Sequence, residues 1–174
     1  VGANSLLCKA GALYHDIGKI RNPNYFIENI QDDNNPHREL NPEQSAAIII
    51  SHVYEGVSIA KKHRLPQDII DFILTHHGTS YVGYFLNEYR RQNPNAGDES
   101  HFRYPGPKPM TKEQGILMMA DAVEASSRSM VQQSEKAINE LVENVINYQI
   151  SQQQHSNLPL SLKEITIVKD VFKR

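Results

Sequence analysis

One cysteine, Cys8, in 174 residues excludes an internal disulfide and a cysteine-based metal site. It lies in the apolar run Leu6-Leu7-Cys8-Lys9-Ala10, where a buried, inert thiol is expected, and a reducing cytoplasm fits that usage. Nowhere do 18 apolar residues follow one another, so no stretch reads as a membrane-spanning helix, and no signal peptide opens the sequence. Charge of one sign is missing too. Lys and Arg number 18 against 20 Asp and Glu, a net charge of -2, which removes a sequence-wide basic field and with it a DNA or RNA polymer as partner. A nucleotide stays open, because a metal or a local cation can hold phosphate. There is no convincing strand pattern, no internal repeat and no domain linker. The first residue is Val1 and not Met, so the sequence reads as a piece of a longer protein.

What is present describes one all-α globular domain, with 39% hydrophobic and 22% charged residues. Leu6, Leu7, Ala10, Leu13, Tyr14 and Ile17 recur at helical steps over residues 1–20, with Asn4-Ser5 as a start signal and Gly18 as a stop. Residues 21–42 are polar and turn-rich, with the run Gln31-Asp32-Asp33-Asn34-Asn35, and are expected to rim a site. Asn41-Pro42-Glu43-Gln44 opens a helix carrying His52 in its middle. Leu65-Pro66-Gln67-Asp68 opens another that reaches His76-His77 and stops at Gly78. A short aromatic helix is predicted over 80–92, and the Pro- and Gly-rich stretch from Asn93 to Met110 is predicted to hold neither helix nor strand. Capping boxes at Thr111–Gln114 and Ser161–Glu164 start two more helices. Between them a longer helix is predicted over about 131–153, its Gln- and Asn-rich tail frayed.

Chemistry concentrates in Ala12-Leu13-Tyr14-His15-Asp16-Ile17-Gly18-Lys19-Ile20. An imidazole and a carboxylate among apolar neighbours are costly unless compensated, and a metal ion is the usual compensation. His52, His76, His77 and Asp121 stand in similar surroundings. His37, His63, His101 and His155, in polar loops or near helix ends, read as ordinary structural residues. A single histidine in an apolar helix is more often a core residue than a ligand. Six such positions together are harder to dismiss. Four imidazoles and two carboxylates are too many for one ion, suit Mn, Fe, Co, Ni or Zn, and make a two-metal centre when a carboxylate bridges. Such a centre clamps a phosphoryl group and supplies hydroxide, so phosphoester hydrolysis follows from the ligand set.

The order His-Asp, His, His-His, Asp resembles the HD-domain metal-dependent phosphohydrolases. The strings His15-Asp16-Ile-Gly-Lys19, Tyr25-Phe26-Ile-Glu28-Asn29, His76-His77-Gly78-Thr79, Tyr104-Pro-Gly-Pro-Lys108-Pro and Ala120-Asp121-Ala-Val-Glu124-Ala-Ser-Ser-Arg128 are similar to one branch. That branch is the cytoplasmic HD domain of the seven-transmembrane receptor HD family, the PgpH-type cyclic di-AMP phosphodiesterases. The resemblance covers essentially the whole chain. It implies Asp16 as bridge, His15 and Asp121 on one ion, and His52, His76 and His77 on the other. It further implies an upstream histidine on the first ion, which no residue of this sequence matches. Mn or Fe are the two divalent ions it favours.

By the same resemblance Lys19 holds a phosphate, the alternative being a solvated lysine near a helix end. Glu124 and Arg128 share a helix face with Asp121 and either pair with each other in support of the metal or, for Arg128, touch phosphate. Tyr25, Phe26, Asn29 and Tyr104 are candidates for adenine recognition or for anchoring their loops, and Lys108 joins the candidate substrate contacts. The implied function is hydrolysis of cyclic di-AMP to the linear 5′-phosphorylated dinucleotide, in the cytoplasmic part of a bacterial inner-membrane protein; a dimer is left open. Cyclic di-GMP hydrolysis by the HD-GYP branch ranks lower, because no Gly-Tyr-Pro follows His76-His77. A mononucleotide phosphohydrolase is more remote. From another class comes a dinucleotide-sensing domain whose chemistry is idle.

Overall fold

The computed structural model describes residues 1–30, 35–95, 97–130 and 134–174. Among them are seven α-helices and no strand. They are α1 (Ser5–Tyr14), α2 (Pro42–Lys62), α3 (Gln67–Thr75), α4 (Gly83–Gln92), α5 (Lys112–Ser127), α6 (Glu135–Ser151) and α7 (Leu162–Phe172). The run Gln31–Asn34 and residues 131–133 of the longer predicted helix lie outside the described residues.

Local chemistry sets the helix starts. Asn4 accepts from the main-chain N–H groups of Leu6 and Leu7 at the head of α1. Full capping boxes close the starts of α2, α5 and α7, with Asn41, Thr111 and Ser161 facing Gln44, Gln114 and Glu164. Each satisfies donors that an open helix end leaves unpaired.

Helix ends depart further from expectation. α1 stops at Tyr14, and residues Ile17–Arg21 form a 3-10 turn instead of a continued α-helix. Gly18 is therefore no stop signal. It lies inside that turn, pressed against α2, where an added Cβ would stand 1.8 Å from the His52 carbonyl oxygen. α3 likewise ends at Thr75, leaving His76 as its cap and His77 beyond it. The polar segment after Asp16 is built from 3-10 turns at Pro23–Tyr25, Ile27–Asn29 and Pro36–Glu39. The proline-rich segment also holds more order than expected. A 3-10 turn spans Ser100–Phe102, and Tyr81 and Arg103 form an isolated antiparallel bridge.

α2 is the central element. Ala60 on it packs with Ile70 and Ile73 of α3, and Ala46 packs with Leu86 of α4 and Phe102. A third core, Met119, Val142, Ile146, Ile165 and Val168, joins α5, α6 and α7. Lys169 of α7 reaches back to Glu143 (2.9 Å) and Asn147 (2.6 Å) of α6. The tail of the α6 segment is not frayed: Gln149 and Gln154 are buried and hydrogen-bonded. Cys8 is half-buried, and burial together with the nearby Glu113 charge raises its thiol pKa, so it is inert as expected though less enclosed. No helix among the described residues is long and apolar enough to cross a membrane.

Candidate metal centre

Four segments converge on one point: the end of α1, the middle of α2, the end of α3 and the middle of α5. Because α1 ends at Tyr14, His15 and Asp16 turn inward together instead of lying on different sides of a continuing helix. His15 Nδ1 lies 3.0 Å from the Ala12 carbonyl, His52 Nδ1 2.6 Å from that of Ile49, and His76 Nδ1 2.8 Å from that of Ile73. A carbonyl can only accept, so each ring keeps its hydrogen on Nδ1 and, when neutral, presents a bare Nε2 lone pair.

Those lone pairs face one another or carboxylates. His52 Nε2 and His76 Nε2 are 3.0 Å apart, and Asp16 Oδ1 lies 3.4 Å from the first and 3.7 Å from the second. On the other side His15 Nε2 lies 3.2 Å from Asp16 Oδ2 and 3.4 Å from Asp121 Oδ1. His77 Nδ1 is 3.8 Å from Asp121 Oδ2. Two groups result, His52-His76-His77 and His15-Asp16-Asp121, each with ligand atoms close enough to share an ion. Asp16 turns one oxygen toward each group. Atoms bound to one ion at about 2.1 Å stand about 3.0–3.4 Å apart for octahedral to tetrahedral angles. The His52–His76, His52–Asp16, His15–Asp16 and His15–Asp121 spacings fall in that range, whereas the 3.7 Å of His76–Asp16 and the 3.8 Å of His77–Asp121 are longer. His15 Nε2 and Asp16 Oδ1 are also buried without a hydrogen-bond partner, which divalent ions in these two groups would relieve.

Electrostatics split the histidines. Burial alone would lower His15, but the carboxylates of Asp121 and Asp16 beside its Nε2 overcome it and raise its pKa to about 10. Asp16 resists burial in the same way and stays ionised, held well below the usual carboxylate range by His15 and Lys19. Burial, joined at His76 and His77 by the neighbouring imidazoles and only partly offset by the carboxylates, pushes His76 down to about 4 and lowers His52 and His77. Three neutral imidazoles beside a charged aspartate form a donor set suited to a transition-metal ion.

The remaining predicted site residues divide. Lys19 is no solvated lysine: its Nζ pairs with Asp16 at 2.7 Å and Glu28 at 2.6 Å, and sits 5.1 Å over the Phe26 ring. Phe26 is buried edge-on to His52, and Tyr104 is buried and stacked on His77 with centroids 4.1 Å apart. Both wall the histidines directly and are more than loop anchors. Tyr104 reaches that position because main-chain bonds Val82→Phe102 and Tyr104→Ser80 pair the segment after His77 with the segment before the proline run. Tyr25 lines the cavity beside His37, and Arg128 pairs with Glu124 at 2.8 Å at the rim. Asn29 and Lys108 do not line it; Asn29 donates to the Pro23 carbonyl within its own loop.

Glu28 is the site residue that the sequence pattern did not single out, while the histidines set aside as structural are placed accordingly. Glu28, the partner of Lys19, stands in the Tyr25–Asn29 string and could have been marked as a carboxylate near a cation. His37 and His155 are half-buried, with Nε2 bonded to the Tyr25 carbonyl and to Gln149 Oε1, whereas His63 and His101 are exposed as expected. The cavity around the centre has a volume of about 1520 Å³, reaching from Asp16 to α4 on one side and α6 on the other.

Comparison with known proteins agrees with this geometry. The family model for the HD domain matches residues 1–126. The chain is 42% identical over 172 residues to the cyclic-di-AMP phosphodiesterase PgpH of Listeria monocytogenes serotype 1/2a (strain 10403S), covering 99% of this chain and 24% of that protein. It is also 42% identical over 170 residues to PgpH of Bacillus subtilis (strain 168), covering 97% and 24%. The chain thus spans about a quarter of the length of the curated relatives it matches. A crystal structure of the L. monocytogenes PgpH HD domain in complex with cyclic-di-AMP superposes with a TM-score of 0.95 at 42% identity, covering 99% of this chain and 80% of that one. On sequence, fold and the ordered His-Asp constellation alike, the chain belongs to the HD domain family.

Proposed function

We propose that this chain is a two-metal phosphodiesterase that hydrolyses cyclic di-AMP to the linear 5′-phosphorylated dinucleotide. The observation that carries the reading is the confrontation of lone pairs at the centre. With Nδ1 spent on carbonyls, the Nε2 atoms of His52 and His76 stand 3.0 Å apart, with Asp16 Oδ1 opposite both. Only a cation or an extra proton makes that arrangement favourable. Similarity to proteins named cyclic-di-AMP phosphodiesterase supports the substrate. So does a cavity of about 1520 Å³, larger than the ~300–1,000 Å³ of ordinary small-ligand pockets.

Two divalent ions, Mn or Fe by the family resemblance, would supply Lewis acidity and an activated water when bound. The chain's own residues do the rest. His15 and Asp121 would hold one ion and His52, His76 and His77 the other, with one Asp16 oxygen turned toward each group. Lys19 exchanges an aspartate partner for a substrate phosphate, and Glu28 keeps its ammonium at the site as that happens. Phe26 and Tyr104 exclude water from the histidine faces and offer flat surfaces to a base. Glu124 holds Arg128 at the rim, where its guanidinium can meet a second phosphate. A longer, membrane-anchored parent with this domain on the cytoplasmic side, and a dimeric state, belong to the same proposal and rest on the sequence resemblance alone.

Metal analysis and product analysis test it together. The chain is expected to bind two ions per molecule and to release the linear dinucleotide from cyclic di-AMP faster than from cyclic di-GMP. Asp16→Ala abolishes both metal uptake and turnover, whereas His63→Ala, at the exposed end of α2, changes neither. Two bound ions with cyclic di-AMP left intact would overturn the substrate; tight dinucleotide binding without product would favour a sensing domain.

A further inference from the structure

α6 ends in a turn that costs energy. Gln153 adopts φ +55, a left-handed conformation that disfavours a side chain, and the turn closes through Gln153 N–H to the Ile150 carbonyl and Gln154 N–H to that of Gln149. A glycine would fit there without strain. The consequence of the turn is the placement of Gln154, whose side chain is 2% exposed.

Gln154 reaches across 75 positions to the residue that follows His76-His77-Gly78. Its Oε1 accepts from the Thr79 main-chain N–H at 2.9 Å and lies 3.3 Å from Thr79 Oγ1, while its Nε2 lies 3.2 Å from the same hydroxyl and donates to the Gln152 carbonyl. Gly78 is itself left-handed at φ +52, and a Cβ there would stand 2.5 Å from Gln154 Oε1. One turn earlier, Gln149 Nε2 donates to the Met118 carbonyl on α5, three residues before Asp121, and Gln149 Oε1 accepts from His155. The end of α6 thus grips the turn after one ligand pair and the helix that carries Asp121. Both glutamines lie beyond the residues matched by the HD family model.

We propose that Gln154, with Gln149 beside it, is a positioning residue for the metal centre: it holds the three-histidine group in register with the His15-Asp16-Asp121 group. The proposal rests on the metal-centre reading above. The two glutamines bond to Thr79 and to the Met118 carbonyl and not to a ligand side chain, so the action runs through the Gly78-Thr79 backbone and through α5. Loss of such an outer support typically weakens metal affinity by about 10–100-fold.

Co²⁺ titration of the full chain, followed by visible absorption, tests this. Wild type takes up two ions. Gln154→Leu keeps the volume and removes the polar grip; it is expected to bind one ion about 10–100-fold more weakly, with an altered absorption band. Thr79→Val, which spares the main-chain bond, loses less, about threefold to tenfold, and serves if Gln154→Leu does not fold. Ile146→Val, a core change on the same helix with no polar link to either ligand segment, lowers thermal stability yet leaves Co²⁺ affinity and spectrum unchanged. If Gln154→Leu and Thr79→Val both match wild type in affinity and spectrum, this proposal falls while the metal reading stands. A wild-type chain that takes up no Co²⁺ overturns both.

Discussion

At the scale of the residue, His15, His52 and His76 make one repeated choice: each gives Nδ1 to a carbonyl three positions back and keeps Nε2 for the centre. What differs is the surroundings. His15 faces two carboxylates that outweigh its burial and is raised to about 10, whereas full burial, with His52 adding to it, lowers His76 to about 4. This gives the metal-free chain opposing pH dependences. Between pH 6.5 and about 10 the folded chain holds a proton on His15 that the unfolded chain has lost, so stability falls as pH rises. Between pH 6.5 and about 4 the unfolded chain carries a proton on His76 that the folded one refuses, so stability falls as pH drops. Thermal melts of the metal-stripped chain are therefore expected to peak near pH 6.5. Metal loading should flatten the alkaline arm, because His15 must release its proton to act as a ligand. A midpoint that stays constant from pH 6.5 to 9 without metal would contradict the assignment of His15.

At the scale of the element, the capped starts of α1, α2, α5 and α7 were legible, whereas the start of α6 at Glu135 and the ends of α1 and α3 were not. Capping residues at Asn4, Asn41, Thr111 and Ser161 are local chemistry, written within four residues of each helix start, and each functions as read. The end of α1 is decided elsewhere. Gly18 looked like a stop because glycine commonly stops helices, yet its role is to let the turn after Asp16 touch α2 backbone to backbone, beside His52 and Gly56. That contact fixes how far Asp16 stands from His52. Gly18→Ala would force a methyl group into the His52 carbonyl, which no rotamer change can relieve. A loss of about 1–3 kcal/mol or more in denaturant unfolding is expected, together with weakened metal binding. Wild-type stability and metal content in that variant would show that the α1–α2 contact is looser than the geometry says.

At the scale of the whole molecule, the identities of the candidate ligands were visible in the sequence, because imidazoles and carboxylates among apolar neighbours need a reason to be there. Their division into two groups around Asp16 was not derivable from spacing; it depends on where α1 and α3 break. The glutamine-rich tail misled for a related reason: Gln149 and Gln154 are polar by composition but buried by tertiary contact, and composition cannot register a partner 75 positions away. Membership of the centre is likewise dispersed, from His15 through Asp121, with its brace at Gln154. This dispersion has a bearing on the order of events in time. During synthesis the first histidine emerges long before the last ligand, and no pair of neighbours along the chain makes a complete site, so early intermediates have nothing with which to capture an ion. On refolding from denaturant with Co²⁺ present, helical circular dichroism should recover first and the Co²⁺ absorption band afterwards, the lag ending only when α6 docks. The ion then acts as a late lock, slowing unfolding while leaving the speed of folding almost untouched.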